Sequence, residues 1–204
     1  MNNHLYLFDQ KLREKYPHIL GIDEVGRGCV AGPLVVCGLI LNPEFYHPLI
    51  KDSKQIKSIA LRKELKEIIL DNALHYETIV FSASQVDVLN PKQASRNGMQ
   101  TIALKLINHF DLCLTDYEKI SGLKKPQINL VKGDNISFSI SCASIVAKSI
   151  RDKLMQELDS LYPEFEFNKN QGYLTKQHQI VLQKLKPIQG VHRFSYKPIA
   201  KLIK

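Results

Sequence analysis

Several absences narrow what this chain can be. Its four cysteines (Cys29, Cys37, Cys113, Cys142) lie far apart with no C-x-x-C pair, which argues against a zinc site or a disulfide framework. The longest nearly charge-free stretch, residues 28–43, is interrupted by Gly32, Pro33 and Gly38. It falls short of the ~20 residues a membrane span needs. Residues 1–16 mix polar and apolar side chains and lack the apolar centre of a signal peptide. A reduced, cytoplasmic, globular protein that meets no membrane is expected. With 204 residues, 44% hydrophobic and 24% charged, the chain is long enough for one domain with a sizeable core.

Acidic residues are also missing from one region. The last 38 residues hold eight basic groups (Lys169, Lys176, Lys184, Lys186, Arg193, Lys197, Lys201, Lys204) and no acid. The other 166 balance 20 basic against 20 acidic, so the whole excess of +8 sits in this segment. It reads either as a well-solvated lysine-rich end or as a surface that meets phosphates. Charge alone does not separate the two.

The pattern elsewhere is mixed α/β. Residues 19–25 and 34–41 read as strands separated by glycine-rich loop chemistry, and 75–82 alternates as a third. Residues 58–73 place Leu61, Leu65, Ile68, Ile69 and Leu70 at helical spacing. A helix is expected over 91–110, ending near His109, with short strands at 111–115 and 128–131. Further helices are expected over 141–161 and 176–185, the last stopped by Pro187. Such an order predicts a mixed sheet flanked by helices, with a helical C-terminal part from about residue 167. All 204 residues are read as a single domain.

Carboxylates fall at the ends of these apolar runs. Asp23 and Glu24 interrupt Ile-Leu-Gly-Ile-Asp-Glu-Val, where two buried charges are costly unless paired. Neighbouring strand residues point to opposite faces, so both serve one site only near a strand end, which Gly26 and Gly28 permit. Asp116 closes Leu-Cys-Leu-Thr, and Asp134 follows Leu-Val-Lys-Gly. Any one of these acids alone reads as a turn residue. Their recurrence suggests an oxygen-lined site for Mg²⁺ or Mn²⁺. Residues 26–31 also satisfy G-x-G-x-x-A, the dinucleotide fingerprint, but Gly32-Pro33 and a strand-like run follow where that motif needs a helix.

The block Gly21-Ile-Asp-Glu-Val-Gly-Arg-Gly-Cys-Val-Ala-Gly-Pro closely resembles the opening signature of bacterial type 2 ribonuclease H, or ribonuclease HII. So do Asp52-Ser53-Lys54, Val131-Lys132-Gly133-Asp134 and Ala143-Ser144-Ile145-Val146-Ala147-Lys148 with Arg151-Asp152. Gly172-Tyr173 with Thr175 and His178, and His192-Arg193 with Ser195, complete the series in family order. Only 20 residues precede Gly21, which favours type 2 over the type 3 enzyme with its extra N-terminal domain. The resemblance implies a ribonuclease H-like fold and an endonuclease that cuts the RNA strand of RNA–DNA hybrids. It also implies incision 5′ of single ribonucleotides in duplex DNA, by two metal ions, leaving 3′-hydroxyl and 5′-phosphate. Two cations about 3.5–4 Å apart can clamp both oxygens of such a displacement.

The family's metal-site carboxylates carry over to Asp23, Glu24, Asp116 and Asp134, with Mn²⁺ or Mg²⁺ as cofactor. Its substrate contacts carry over to Gly26, Arg27, Gly28 and Tyr173, the last being the junction-sensing tyrosine. Lys54 is either a phosphate contact or a solvated loop lysine. Tyr173 by itself reads as a tyrosine in a helix-capping loop. His178 and His192 are expected to be structural or backbone contacts, since hard cations prefer oxygen. A monomer acting on RNA–DNA hybrid and ribonucleotide-containing duplex is implied. Two departures stand out: Asp116-Tyr117-Glu118 where the family usually has Asp-Gly-Asn, and Gly172-Tyr173-Leu174-Thr175 where it has Gly-Tyr-Gly-Thr. The competing reading from another class is a non-catalytic nucleic-acid binder. It accounts for the basic end but leaves the clustered acids unexplained.

Overall fold

Five short apolar runs become the strands of one sheet: β1 (Ile19–Val25), β2 (Leu34–Leu41), β3 (Ala73–Phe81), β4 (Leu112–Asp116) and β5 (Gln127–Leu130). Their order is β3-β2-β1-β4-β5. The computed structural model describes residues 3–50, 56 and 58–203. Strands β1, β4 and β5 run parallel, with Ile22 paired to Thr115 and Asp116 to Leu130. Every residue of β2 is buried, the signature of a strand covered on both faces. No helix follows residues 26–31, because the chain runs through a loop directly into β2. The dinucleotide motif is thereby set aside.

Eight α-helices complete the described chain: α1 (His4–Arg13), α2 (Ile59–Asp71), α3 (Ala83–Leu89), α4 (Pro91–Lys105), α5 (Phe138–Leu161), α6 (Phe167–Asn170), α7 (Lys176–Leu185) and α8 (Lys197–Ala200). The mixed sheet with flanking helices and a helical C-terminal part is the expected architecture, while α3, α6 and α8 have no expected counterpart and three further details differ. Helix α4 stops at Lys105 rather than near His109, because Ile107 and His109 donate to carbonyls three residues back and tighten the chain into turns. Helix α1 is not among the expected helices, although Leu5, Phe8 and Leu12 share its inner face and Asn3 caps it by accepting the Leu5 N–H (3.0 Å). Helix α5 starts three residues early, at Phe138, because a remote group caps it. Asp9 of α1 accepts hydrogen bonds from the Ser139 N–H (2.8 Å) and hydroxyl (2.6 Å), satisfying a first-turn donor.

The described chain falls into two compact units between which it alternates. The first comprises Met1–Glu24, Val36–Ile79 and Arg96–Ser149; the second comprises Val25–Val35, Val80–Ser95 and Ile150–Lys204. In the first, Ile19, Leu112, Leu114 and Ile140 form a core cluster, flanked by Phe8, Leu12 and Tyr16 of the N-terminal segment. In the second, Val30, Ala31, Met155, Phe165, Phe167, Leu182, Val191 and Ile199 pack together. Gly21 shows how tightly the first is built: a Cβ there would lie 2.5 Å from the Ser139 carbonyl carbon. That contact requires glycine so that β1 and the start of α5 can meet. Gly21→Ala should therefore lower stability by about 1–3 kcal/mol, the range for forcing a carbon into a packed core. Chemical denaturation of the variant beside the wild type measures this.

Candidate active site

Each of the four predicted carboxylates sits where a strand has just ended or is ending. Asp23 and Glu24 are the fifth and sixth residues of β1, and Asp116 is the last of β4. Asp134 lies in a single 3₁₀ turn, Gly133–Asn135, soon after β5. Because β1 and β4 are parallel and pair through Ile22 and Thr115, Asp23 and Asp116 occupy the next positions on adjacent strands. The carboxyl ends of parallel strands are where open α/β sheets place their ligands. All four acids belong to the first unit.

Local bonds fix these groups. Asp23 Oδ1 accepts the Glu24 N–H (2.8 Å), and the Ser144 side chain of α5 also hydrogen-bonds Asp23. Asp116 Oδ1 accepts the Gly133 N–H (2.7 Å), tying the end of β4 to the turn that carries Asp134. Asp23 and Asp134 are buried, while Glu24 and Asp116 are partly so. Burial raises the Asp23 carboxyl well above the ordinary carboxylate range. The Glu24 charge raises it further, as do Asp116 and Asp134, whereas Ser144 opposes the rise. The other three acids therefore all act on Asp23 through charge. Among the described residues, no three His, Cys, Asp or Glu side chains stand in the tight grouping that grips a metal ion outright. The two observations are compatible, since Coulomb repulsion reaches well beyond the ~2–2.6 Å of a metal–oxygen bond. The all-oxygen donor set and its accumulated negative charge fit a hard divalent cation.

Of the two acids in the third segment, Asp116 is the one whose charge acts on Asp23. Glu118 is buried and its Oε2 meets Arg96 Nε at 2.7 Å, an ion pair rather than an open ligand. The turn between them is closed by the Glu118 N–H donating to the Asp116 carbonyl, with Tyr117 at φ +64°. A left-handed conformation costs a side chain about 1–2 kcal/mol, which glycine avoids. This accounts for the glycine the family usually has there, and Tyr117 keeps the same turn with its ring exposed.

The predicted substrate contacts Gly26, Arg27, Gly28 and Tyr173 belong to the second unit. Lys54 lies outside the described residues, as do Asp52 and Ser53. Segments 26–32 and 171–173 are joined directly: Val30 and Ala31 N–H groups donate to the Gly172 carbonyl (2.9 and 3.2 Å). Gly172 has φ +77°, and a Cβ there would collide with the Ala31 carbonyl. Two buried arginines complete the joint. Arg151 donates to the carbonyls of Pro33 (2.9 Å), Ala31 (3.2 Å) and Gln171 (2.9 Å). Arg193 donates to Gly26 (2.7 Å), Arg27 (3.3 Å) and Gly32 (2.9 Å), and Tyr196 adds its hydroxyl to the Arg27 carbonyl (2.6 Å).

The sequence pattern singles out both arginines within family-like blocks but does not reveal that they are buried. Arg193 falls among the basic residues that read as solvated or meeting phosphate, but it is fully buried and spends its donors on backbone. Nothing in a run of basic residues distinguishes a cation that turns inward. The six described lysines of the same segment are exposed, as either reading of that segment requires. His178 and His192 are backbone contacts, as expected. His178 Nδ1 lies 2.9 Å from the Tyr173 carbonyl, and the Ile188 N–H donates to His192 Nδ1 at 3.0 Å.

The sheet and its flanking helices have the architecture of a ribonuclease H-like protein. The profile described as Ribonuclease HII matches residues 20–199. Ribonuclease HII of Mycoplasma mycoides subsp. mycoides is 44% identical over 202 residues, covering 97% of this chain and 96% of that protein. That of Aquifex aeolicus is 38% identical, covering 95% and 97%. In fold, the chain resembles the crystal structure of ribonuclease H2 from Pyrococcus horikoshii, with TM-score 0.74 at 22% identity, covering 91% and 96%. It also resembles Bst-RNase HIII solved in complex with Mn²⁺, with TM-score 0.70 at 16% identity, covering 91% and 69%. The chain belongs to the ribonuclease HII family. As such it is a ribonuclease H, a divalent-metal-dependent endonuclease acting on RNA–DNA hybrids.

The strain at Asp23 yields a signed expectation. Its folded-state pKa lies above the unfolded value, so its favourable contribution is present at acid pH and is lost as pH rises through the folded pKa. At neutral pH in chelator, Asp23→Asn should therefore stabilise the fold, raising the melting temperature by at least about 2–4 °C, the equivalent of 1 kcal/mol for a chain this size. A thermal melt in chelator checks it, and the gain should shrink toward pH 4.

Proposed function

We propose that the chain cuts on the 5′ side of a ribonucleotide, both within RNA–DNA hybrid and at a single ribonucleotide in duplex DNA. Asp23, Glu24, Asp116 and Asp134 are its metal ligands. The observation that carries this reading is the charge that Glu24, Asp116 and Asp134 impose on the buried Asp23, a disposition that a non-catalytic binder of phosphates has no use for. When bound there, Mn²⁺ or Mg²⁺ would activate the attacking water and offset the charge of the leaving oxygen. Ser144 and the Glu24 N–H hold Asp23, and the Gly133 N–H holds Asp116, so the ligands are oriented before substrate arrives. Products with 3′-hydroxyl and 5′-phosphate ends follow from that chemistry.

Discrimination of RNA is assigned to residues 26–28 and Tyr173. Arg193 engages the Gly26 and Arg27 carbonyls. Since a trans peptide sets N–H opposite C=O, the N–H groups of Arg27 and Gly28 point away from Arg193. They are directed as donors to a 2′-hydroxyl, which both donates and accepts. Tyr173, 51% exposed, is available to stack on the neighbouring deoxyribose. Lys54 adds a phosphate contact. The buried, free thiols of all four cysteines suit a reducing compartment and support a cytoplasmic enzyme.

The decisive experiment is a cleavage gel on duplex DNA carrying one ribonucleotide, with Mg²⁺, Mn²⁺ or chelator. A single 5′ incision that needs metal and disappears in Asp134→Asn is expected; retention of the duplex without cutting would favour the non-catalytic binder. For the basic segment, Lys184→Gln with Lys186→Gln should weaken binding at low salt. Every phosphate that a substituted lysine no longer neutralises should flatten the log–log salt dependence by about 0.9. A salt titration of binding by the doubly substituted protein measures it, and an unchanged slope returns these lysines to the merely solvated class.

A further inference from the structure

Two histidines face each other in the second unit without serving the chemistry proposed above. His178 lies on α7 and His192 lies beyond it, in the segment that bridges Ala31. Their Nε2 atoms are 3.2 Å apart. The outer partners settle which nitrogen carries which proton. A backbone N–H always donates, so His192 Nδ1, facing the Ile188 N–H, is the acceptor. Neutral His192 then carries its proton on Nε2 and donates it to His178 Nε2. That leaves the proton of His178 on Nδ1, aimed at the Tyr173 carbonyl 2.9 Å away. One direction of hydrogen bonding runs from Ile188 through both rings to Tyr173.

We propose that His192 and His178 form a positioning relay that fixes the backbone at Tyr173 and thereby the enzyme's preference for a single-ribonucleotide junction. The proposal rests on the reading of Tyr173 as a junction contact. The Tyr173 carbonyl accepts both the His178 proton and the Thr175 N–H (2.9 Å), while the Tyr173 N–H donates to Asn170 (2.9 Å). The half-exposed side chain departs from this backbone. The rings of Phe165 and Phe167 surround the pair at centroid distances of 5.0–6.2 Å. Burial lowers the pKa of both histidines, that of His192 to about 4, where the His178 charge lowers it further. Besides burial, the groups acting on the rings are the Tyr173 backbone at His178, and the His178 charge and the Ile188 backbone at His192. Neutrality is what the relay requires, since a proton added to His178 would set two N–H groups against each other.

Long-range ¹H–¹⁵N spectra of the wild-type imidazoles near neutral pH should show His192 protonated on Nε2 and His178 on Nδ1; the opposite tautomers overturn the relay whether or not any variant folds. In kinetics, His178→Phe keeps a ring of similar size and removes the donor. The ratio of initial rates, lone ribonucleotide over long hybrid, should fall at least fivefold, as in Tyr173→Ala. His178→Asn, whose amide nitrogen can occupy the place of Nδ1, should restore the ratio to within twofold. A normal ratio in His178→Phe beside a reduced one in Tyr173→Ala refutes the proposal. If Tyr173→Ala itself leaves the ratio unchanged, the reading of Tyr173 fails. The relay is then judged by hydrogen exchange at the Thr175 amide, which should quicken at least tenfold in His178→Phe; unchanged exchange overturns it.

Discussion

Like charges gathered in a poorly hydrated place are the constraint around which the first unit is arranged. Burial at the end of a strand already holds the Asp23 carboxyl above the ordinary range, and three further carboxylates within electrostatic reach raise its pKa again. A chain selected only for stability has no reason to keep such a set. The surrounding structure tolerates it by anchoring individual members: a neighbouring amide and a serine at Asp23, and the amide of a 3₁₀ turn at Asp116. A divalent cation held among these carboxylates, as proposed, would offset that repulsion.

The second unit handles charge in the opposite manner. Arg151 and Arg193 are buried among backbone carbonyls, and their hydrogen bonds hold loop 26–33 and segment 171–173 as one piece. Five fixed donors on a planar guanidinium suit this task, which a lysine's single ammonium could not perform. Backbone so held keeps the Gly26, Arg27, Ala31 and Gly32 carbonyls in fixed positions. The histidine pair extends the same principle to the residue beyond, using neutral rings where a third buried cation would raise the electrostatic cost.

Much of this fold is legible in the chain itself, for identifiable reasons. Helix α7 matches its expected bounds because Thr175, accepting the His178 N–H, and Pro187 punctuate it by local chemistry. Strand β2 is plain from eight consecutive residues, all apolar save a glycine. Helix α1 carries a local signal in Leu5, Phe8 and Leu12 behind the capping Asn3, whereas the early start of α5 draws on Asp9 reaching Ser139 across 130 residues of sequence beside the local cap of Ser137. The end of α4 shifts because its last apolar residues follow helical spacing while their backbone tightens into turns.

The candidate site divides along the same line. Residue type, order and spacing by themselves pointed to the family and singled out the four carboxylates and the glycine-flanked Arg27 as candidates, because those features are local and chemically unusual within apolar runs. Tertiary structure decided which acid of Asp116 and Glu118 faces the site, since only folding brings Arg96 to Glu118. It also decided that Arg193 turns inward while Lys184 and Lys186 stay exposed, because charge is a property of a residue but burial is a property of its neighbours. The tautomers of His178 and His192 belong to this second kind: a proton's place on an imidazole is set by the partners that packing supplies, and no sequence pattern carries it.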